Sequence, residues 1–315
     1  MKQYLFIISF FSIALISCIS KNDKSKFAFI NTDQGIELLE NGEPVYFYQK
    51  LPKSVSGEYI CNNYIHPLYT LKGDTLTEEF PADHPFHRGI FWAWHQINIG
   101  DKTIVDSWIM ENIEFELSEF KTITNANSGQ LKLSVNWKSA LYENHTPFIR
   151  ENTTITVYPL KDDIRKIEFV ISLQALVPDV EIGGADNEKG YGGLCTRLRL
   201  PEDIIFTSDQ GPVIPQNLQI IAGSWMDFSG SFGTDDEPSG MAILCHPETP
   251  NYPAPWILRK QKSTQNIVFP GRERIKVPMD KTINLCYQLI IHDGNSNSIA
   301  LSKLQSEYAE TSIIE

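Results

Sequence analysis

Polar and apolar residues alternate with a period of two through most of this chain. Ile113-Phe115-Leu117, Leu131-Leu133-Val135-Trp137, Ile155-Val157 and Ile167-Phe169-Ile171-Leu173 each place apolar side chains on one face, as a half-buried strand does. Further strand-like runs cover residues 27–30, 35–39, 45–48, 64–71, 89–97, 194–200, 241–245 and 283–291. Turn signals separate them: Asn41-Gly42, Lys72-Gly73-Asp74, Asn127-Ser128-Gly129, Lys161-Asp162-Asp163 and Asp293-Gly294-Asn295. Strands joined by short turns, with no helical segment between them, predict antiparallel sheets packed face to face. The four long strands between 113 and 176 predict a meander. Only the C-terminus reads as helix, with Ser298 as its cap and Ile299, Leu301, Leu304 and Tyr308 at helical spacing. The expected fold is all-β, a large antiparallel β-sandwich with a short C-terminal helix. Without an internal repeat or linker, residues 27–315 form one domain. Residues 177–193 and 208–240, rich in Gly, Pro and Asp, are expected as long loops over one end, where binding residues collect.

The first residues follow a different rule. Lys2 is a short positive region, residues 4–16 are almost wholly apolar, and the run ends in Leu15-Ile16-Ser17-Cys18. This is a secretory signal of 18 residues ending in a sequence that resembles the lipobox of bacterial lipoproteins. Cys18 would be acylated and become the first mature residue, and residues 19–26 would form a polar tether. Acylation holds a protein on a membrane surface without spanning it, so the expected location is the cell envelope, lipid-anchored.

The remaining stretch of about 290 residues can bury a sizeable core. The net charge of −12 argues against nucleic acid as a partner, because a phosphate backbone needs a basic face. Cys61, Cys195, Cys245 and Cys286 have no C-x-x-C spacing and apolar neighbours, so they read as buried free thiols.

Candidate chemistry concentrates in Phe80-Pro81-Ala82-Asp83-His84-Pro85-Phe86-His87-Arg88-Gly89-Ile90-Phe91-Trp92-Ala93-Trp94-His95, which holds three of the seven histidines. A titratable half is followed by an aromatic half, the mixture of a ligand-facing edge. If the chain is extended after Gly89, Ile90, Trp92 and Trp94 share one face while Phe91, Ala93 and His95 share the other. Trp92 and Trp94 then offer a platform for a sugar ring, or else fill the core. His84 and His87 have H-x-x-H spacing, but Pro85 between them opposes a helix. A metal there would need further donors from His246, His95, Asp83 or Asp227, or one histidine could be a structural hydrogen-bonder.

A second cluster runs from Cys245-His246-Pro247 through Asn251 to Trp256 and Arg259, with four prolines in nine residues. Such a backbone is rigid and suits a pre-organised site, or seals an edge strand. Trp225-Met226-Asp227 is a candidate third wall. Gly190-Tyr191-Gly192-Gly193 before Arg197 lacks the strand–loop–helix context of a phosphate cradle.

The D-H-P-x-H-R-G element at 83–89, together with Trp92-Ala93-Trp94, residues 190–197, His246-Pro247 through Trp256 and Arg259, and His292-Asp293-Gly294, resembles a family of uncharacterised exported proteins of Bacteroidota and Planctomycetota. That family has carried the label "methane oxygenase PmoA". The label conflicts with this chain, because a methane oxygenase subunit needs several membrane spans and nothing after residue 20 is apolar for that length. The resemblance implies a β-sandwich of the galactose-mutarotase kind and a carbohydrate ligand. Aldose epimerases of that fold use a histidine acid and a carboxylate base; here Glu79, Glu151 and Asp227 compete for the latter role.

The functional expectation is a carbohydrate-processing envelope protein using acid–base chemistry without a cofactor or metal. His87 and His246 would be the proton-transfer pair, with His84, Arg88, Trp92, Trp94, Asn251, Trp256, Arg259 and Asp227 binding substrate. A non-catalytic glycan-binding lipoprotein and a metalloenzyme using His84 and His87 are the alternatives. The sharpest expectation is that the two loops, at 84–88 and 246–259, converge on one pocket.

Overall fold

The computed structural model describes residues 26–234 and 237–313; Cys18 and the signal segment lie outside the described residues. Three antiparallel sheets, of eight, nine and four strands, make up the molecule. The all-β sandwich is what the chain forms. The expected meander is present, with Glu114–Thr124, Gly129–Lys138, Ile149–Val157 and Ile164–Ala175 paired in sequence order within the nine-stranded sheet. The alternation of the sequence becomes the sandwich: Leu131, Leu133, Val135, Ile155, Ile167, Phe169 and Ile171 enter one core with Ile36, Leu38, Val45, Ile90 and Ile97.

The helix is shorter than the sequence suggests. It spans Leu301–Ala309 with Ala300 at its start, while Ser298 closes a preceding 3-10 turn. The helix lies on the outer face of the nine-stranded sheet, where Leu301 and Tyr308 cover Trp225, Ala242, Leu244 and Ile290. Among the described residues no helix is long and apolar enough to cross a membrane. Cys61, Cys195, Cys245 and Cys286 are buried free thiols.

The expected strand over 89–97 is two strands in two sheets. Ile90–Trp94 belongs to the eight-stranded sheet and Gln96–Ile99 to the four-stranded one, so His95 stands where the chain changes sheet. Within Ile90–Trp94 the expected parity holds, but the indoles face inward. Trp92 and Trp94 join the main core, whereas Phe91 and Ala93 face out with Tyr64, Trp108 and Cys195. Large apolar surface is most stabilising where it is fully dried. The sugar platform expected of Trp92 and Trp94 therefore does not form.

Between the two large sheets lies the carboxylate of Glu151, fully buried. Trp92 Nε1 and Trp137 Nε1 donate to its Oε2 at 2.8 and 3.0 Å, Thr153 donates to Oε1 at 2.8 Å, and the Asn63 amide reaches both oxygens. Burial pushes its carboxyl up, and the four donors pull against that. Glu151 is thus the polar pin of the core.

Candidate functional site

The D-H-P-x-H-R-G loop lies over the outer face of the eight-stranded sheet, above Phe91 and Trp108. Gly89 returns it to the strand with φ +47°, and a Cβ there would meet Ile65 O at 1.9 Å. Only glycine fits that approach.

His84 and His87 stack with ring centroids 4.7 Å apart and planes within 7°. Arg197, directly after the strand Gly192–Thr196 that neighbours Ile90–Trp94, organises both rings. Its guanidinium donates to both Asp83 oxygens at 3.0 and 3.1 Å and to Glu78 at 2.7 Å, and its Nη1 lies 3.2 Å from His87 Nδ1. An arginine nitrogen can only donate, so His87 Nδ1 accepts and its ring proton sits on Nε2. His84 Nδ1 lies 2.7 Å from Asp83 Oδ2, so Asp83 orients that ring as well.

Two titrations follow from this packing. Burial, the His84 ring and the Arg197 and Arg88 charges hold His87 far below an ordinary imidazole, at about 2. Burial pushes Asp83 up, but hydrogen bonds from His84 and Arg197 and the Arg197 charge outweigh it and bring the carboxyl to about 2. A depressed folded-state value contributes stability that is full above the unfolded value and lost as pH falls. For His87 that loss begins below about pH 6.5, the ordinary value. Melting temperature should therefore decline on acidification below 6.5, with a shallower slope in His87→Gln. An identical slope in the two proteins would contradict the assignment.

Proton transfer was expected of His87, but the structure makes it a fixed neutral donor. His84, expected only to bind, is the ring with a carboxylate partner and a side chain 39% exposed. The parallel rings cannot aim their in-plane lone pairs at one point. Among the described residues no three His, Cys, Asp or Glu side chains gather as metal ligands.

A pocket of about 390 Å³ opens beside this cluster, lined by Glu78, Asp83, Arg197, Glu202, Lys260 and Lys262 among others, within the range of small-molecule sites. A larger cavity of about 730 Å³ lies between the C-terminal helix and the nine-stranded sheet, away from the histidine loop.

The second loop does not join the site as a whole. His246 lies on the opposite outer face, its ring 4.9 Å from Tyr308 and its Nε2 3.1 Å from Thr311 O. Its role is to hold the C-terminal segment on the sheet. The proline-rich segment carries the chain from one sheet to the other, which explains its rigidity. Asn251 is an exposed turn residue with φ +69°. Trp256 is buried in the core and donates to Gly223 O. Only Arg259, at the far end, reaches the histidine face, where its guanidinium lies 5.6 Å from the Tyr191 ring. The single pocket expected for His87 and His246 is therefore not formed.

Two other expected binders are structural. Arg88 is buried, donates to the carbonyls of Phe86, Ser107 and Trp108, and covers the Phe91 ring at 4.4 Å. Asp227 is fully buried on the outer face of the nine-stranded sheet, bonded to His292 at 2.8 Å and to Ser229.

The competing carboxylates resolve differently. Glu151 is in the core and Asp227 is on the wrong face. Glu79 sits on the outer face of the eight-stranded sheet with Lys53, with Tyr64 (2.7 Å) and with His66 (3.8 Å). Asp83, inside the first motif, is the one that meets a histidine of the loop. Arg197 stood out only as the residue behind Gly190-Tyr191-Gly192-Gly193, without a role, and Lys53 and His66 carried no motif of their own. The only trace of the last two was their place beside strand-like runs, which becomes informative once the strand order is known.

The model of a family of unknown function, DUF6807, matches residues 35–305. The chain belongs to that family. This agrees with the sequence resemblance at the level of an uncharacterised family. A search of curated proteins finds no match. Among solved structures the chain is similar to a candidate kojibiose phosphorylase from the human microbiome, with 12% identity and a TM-score of 0.40 over 93% of this chain and 34% of that one. It therefore spans about a third of that protein's length. It is also similar to a candidate mutarotase, YeaD, from Salmonella typhimurium, with 8% identity and a TM-score of 0.32 over 84% and 90% of the two chains.

Proposed function

We propose that this family member binds a carbohydrate on the outer face of its eight-stranded sheet and moves a proton there, with His84 as the acid–base group. The observation that carries the reading is the stacked His84–His87 pair. Both rings turn Nδ1 to the Asp83–Arg197 pair, which leaves two Nε2 atoms of opposite character. His84 Nε2 can take a proton from a substrate hydroxyl or activated C–H and return it, the resulting imidazolium being stabilised by Asp83. His87 Nε2–H, locked neutral, can donate a hydrogen bond to an oxygen on which charge develops. No oxidant or reductant is required. The lipobox-like segment supports placing this chemistry at the cell envelope, tethered through Cys18.

The test is proton NMR of a panel of reducing and oxidised monosaccharides in D₂O with the purified protein. Catalysed anomer interconversion or loss of a C–H signal is the expected result. His84→Gln should slow it by about 100-fold or more, with melting temperature nearly unchanged because the side chain is half-exposed. Binding without turnover would leave a glycan-binding protein, and absence of both would overturn the proposal.

A further inference from the structure

The outer face of the eight-stranded sheet carries a second histidine–carboxylate pair built like the first. His95 Nδ1 lies 2.8 Å from Asp106 Oδ2. Asp106 is itself fixed, its Oδ1 accepting from the backbone N–H of Trp108 at 3.0 Å and Ile109 at 3.3 Å. The pair is open to solvent, with side chains 25% and 20% exposed. His95 Nε2 has no protein hydrogen-bond partner among the described residues. The ring lies flat on Trp108, centroids 5.1 Å apart and planes at 21°.

Trp108 joins the two pairs. Its other ring neighbours are His87 at 6.3 Å, Phe91 at 5.7 Å and Tyr191 at 5.2 Å. From His84 the rings run through His87 and Trp108 to His95 without interruption. At the His84 end stand Phe86 and Tyr59, and at the His95 end Tyr191 with Arg259 above it. Arg259 is anchored by donating to the carbonyls of Gln216 and Asn217, which ties the loop before Gly223 to this border. His87 and Trp108 are buried and form the floor of this line, while His84, His95 and Tyr191 are partly exposed along it. Such exposed ring edges with oriented polar groups at intervals suit a row of pyranose rings, whose C–H patches stack while their hydroxyls pair.

We infer that His95–Asp106, with Tyr191 and Arg259, forms a second sugar subsite on the same face, so that the ligand is an oligosaccharide of at least two rings. His84 and His95 are separated by two intervening side-chain rings, those of His87 and Trp108. In this subsite His95 Nε2 holds a hydroxyl of the distal ring and Tyr191 offers its half-buried face. The inference rests on the proposed carbohydrate site and adds its extent.

The experiment is calorimetric titration with glucose-, mannose-, galactose- and xylose-based ladders of one to four rings, on the wild type, His95→Ala, Tyr191→Ala and His84→Gln. Affinity of the wild type should rise at least tenfold from one ring to two or three. His95→Ala and Tyr191→Ala should remove that gain while leaving monosaccharide affinity within twofold, and His84→Gln should weaken every member. Should either distal variant fail to fold by circular dichroism, His95→Gln and Tyr191→Leu serve in its place. A wild-type affinity independent of ring number, or a gain that survives both distal substitutions, overturns the second subsite and leaves the first standing. Failure of every ladder to bind overturns both.

Discussion

Replacing Glu151 with alanine is expected to remove about 4 kcal/mol of folding stability, the range seen when one partner of a buried polar cluster is deleted. Four side chains from four parts of the chain point donors at its two oxygens: Trp92, Trp137, Asn63 and Thr153. Without the carboxylate, two indole N–H groups and an amide face an apolar cavity, each lacking a partner. Asn63 loses part of its own fixing and with it the hydrogen bond from Tyr48 at 3.0 Å. Glu151→Gln should also be costly, because its amide would turn a donor toward donors. In a domain of this size the alanine variant should melt roughly 10 °C lower. A loss below about 1 kcal/mol in urea unfolding would show that water or repacking replaces the carboxylate, and would refute the pin.

Arg197→Met is expected to disable the candidate site and to cost about 3 kcal/mol. Its guanidinium is 3% exposed, while Glu78 and Asp83 are 31% and 28% exposed. The two carboxylates can recover water when the cation goes; the buried His87 Nδ1 cannot. Ligand binding and turnover should both vanish, because His84 and His87 lose their shared anchor. Arg197→Lys should recover little, since an ammonium cannot address Asp83, Glu78 and His87 in one plane. The distinguishing readout is an imidazole titration followed by NMR. His87 should move up from about 2 yet stay below 6.5, because burial, the larger cause of its depression, remains. Unchanged His87 titration with lost stability would mean that Arg197 is only structural.

Local patterning dictated much of this protein. Period-2 alternation and turn residues were enough for an all-β sandwich, for the meander between 114 and 175, and for the buried thiols, because each depends on neighbours within a few residues. The motif around His84 and His87 could equally be singled out as the candidate site, since an unusual density of titratable and aromatic side chains is visible without reference to the fold. Even the two faces of Ile90–Trp94 could be separated by parity. Which face meets the second large sheet could not be, because that depends on how the sheets are layered. The tertiary structure sent Trp92 and Trp94 inward and left Trp108 beside the histidines. Likewise the chain cannot announce which carboxylate meets which histidine: Asp83 with His84, Asp106 with His95, Asp227 with His292. The last two pairs lie 11 and 65 residues apart, and strand order alone brings them together. His246 shows the limit most plainly. Its proline-stiffened loop looked like half of a site, yet the sandwich has two outer faces, and the same rigid segment that ends at Arg259 on one begins at His246 on the other.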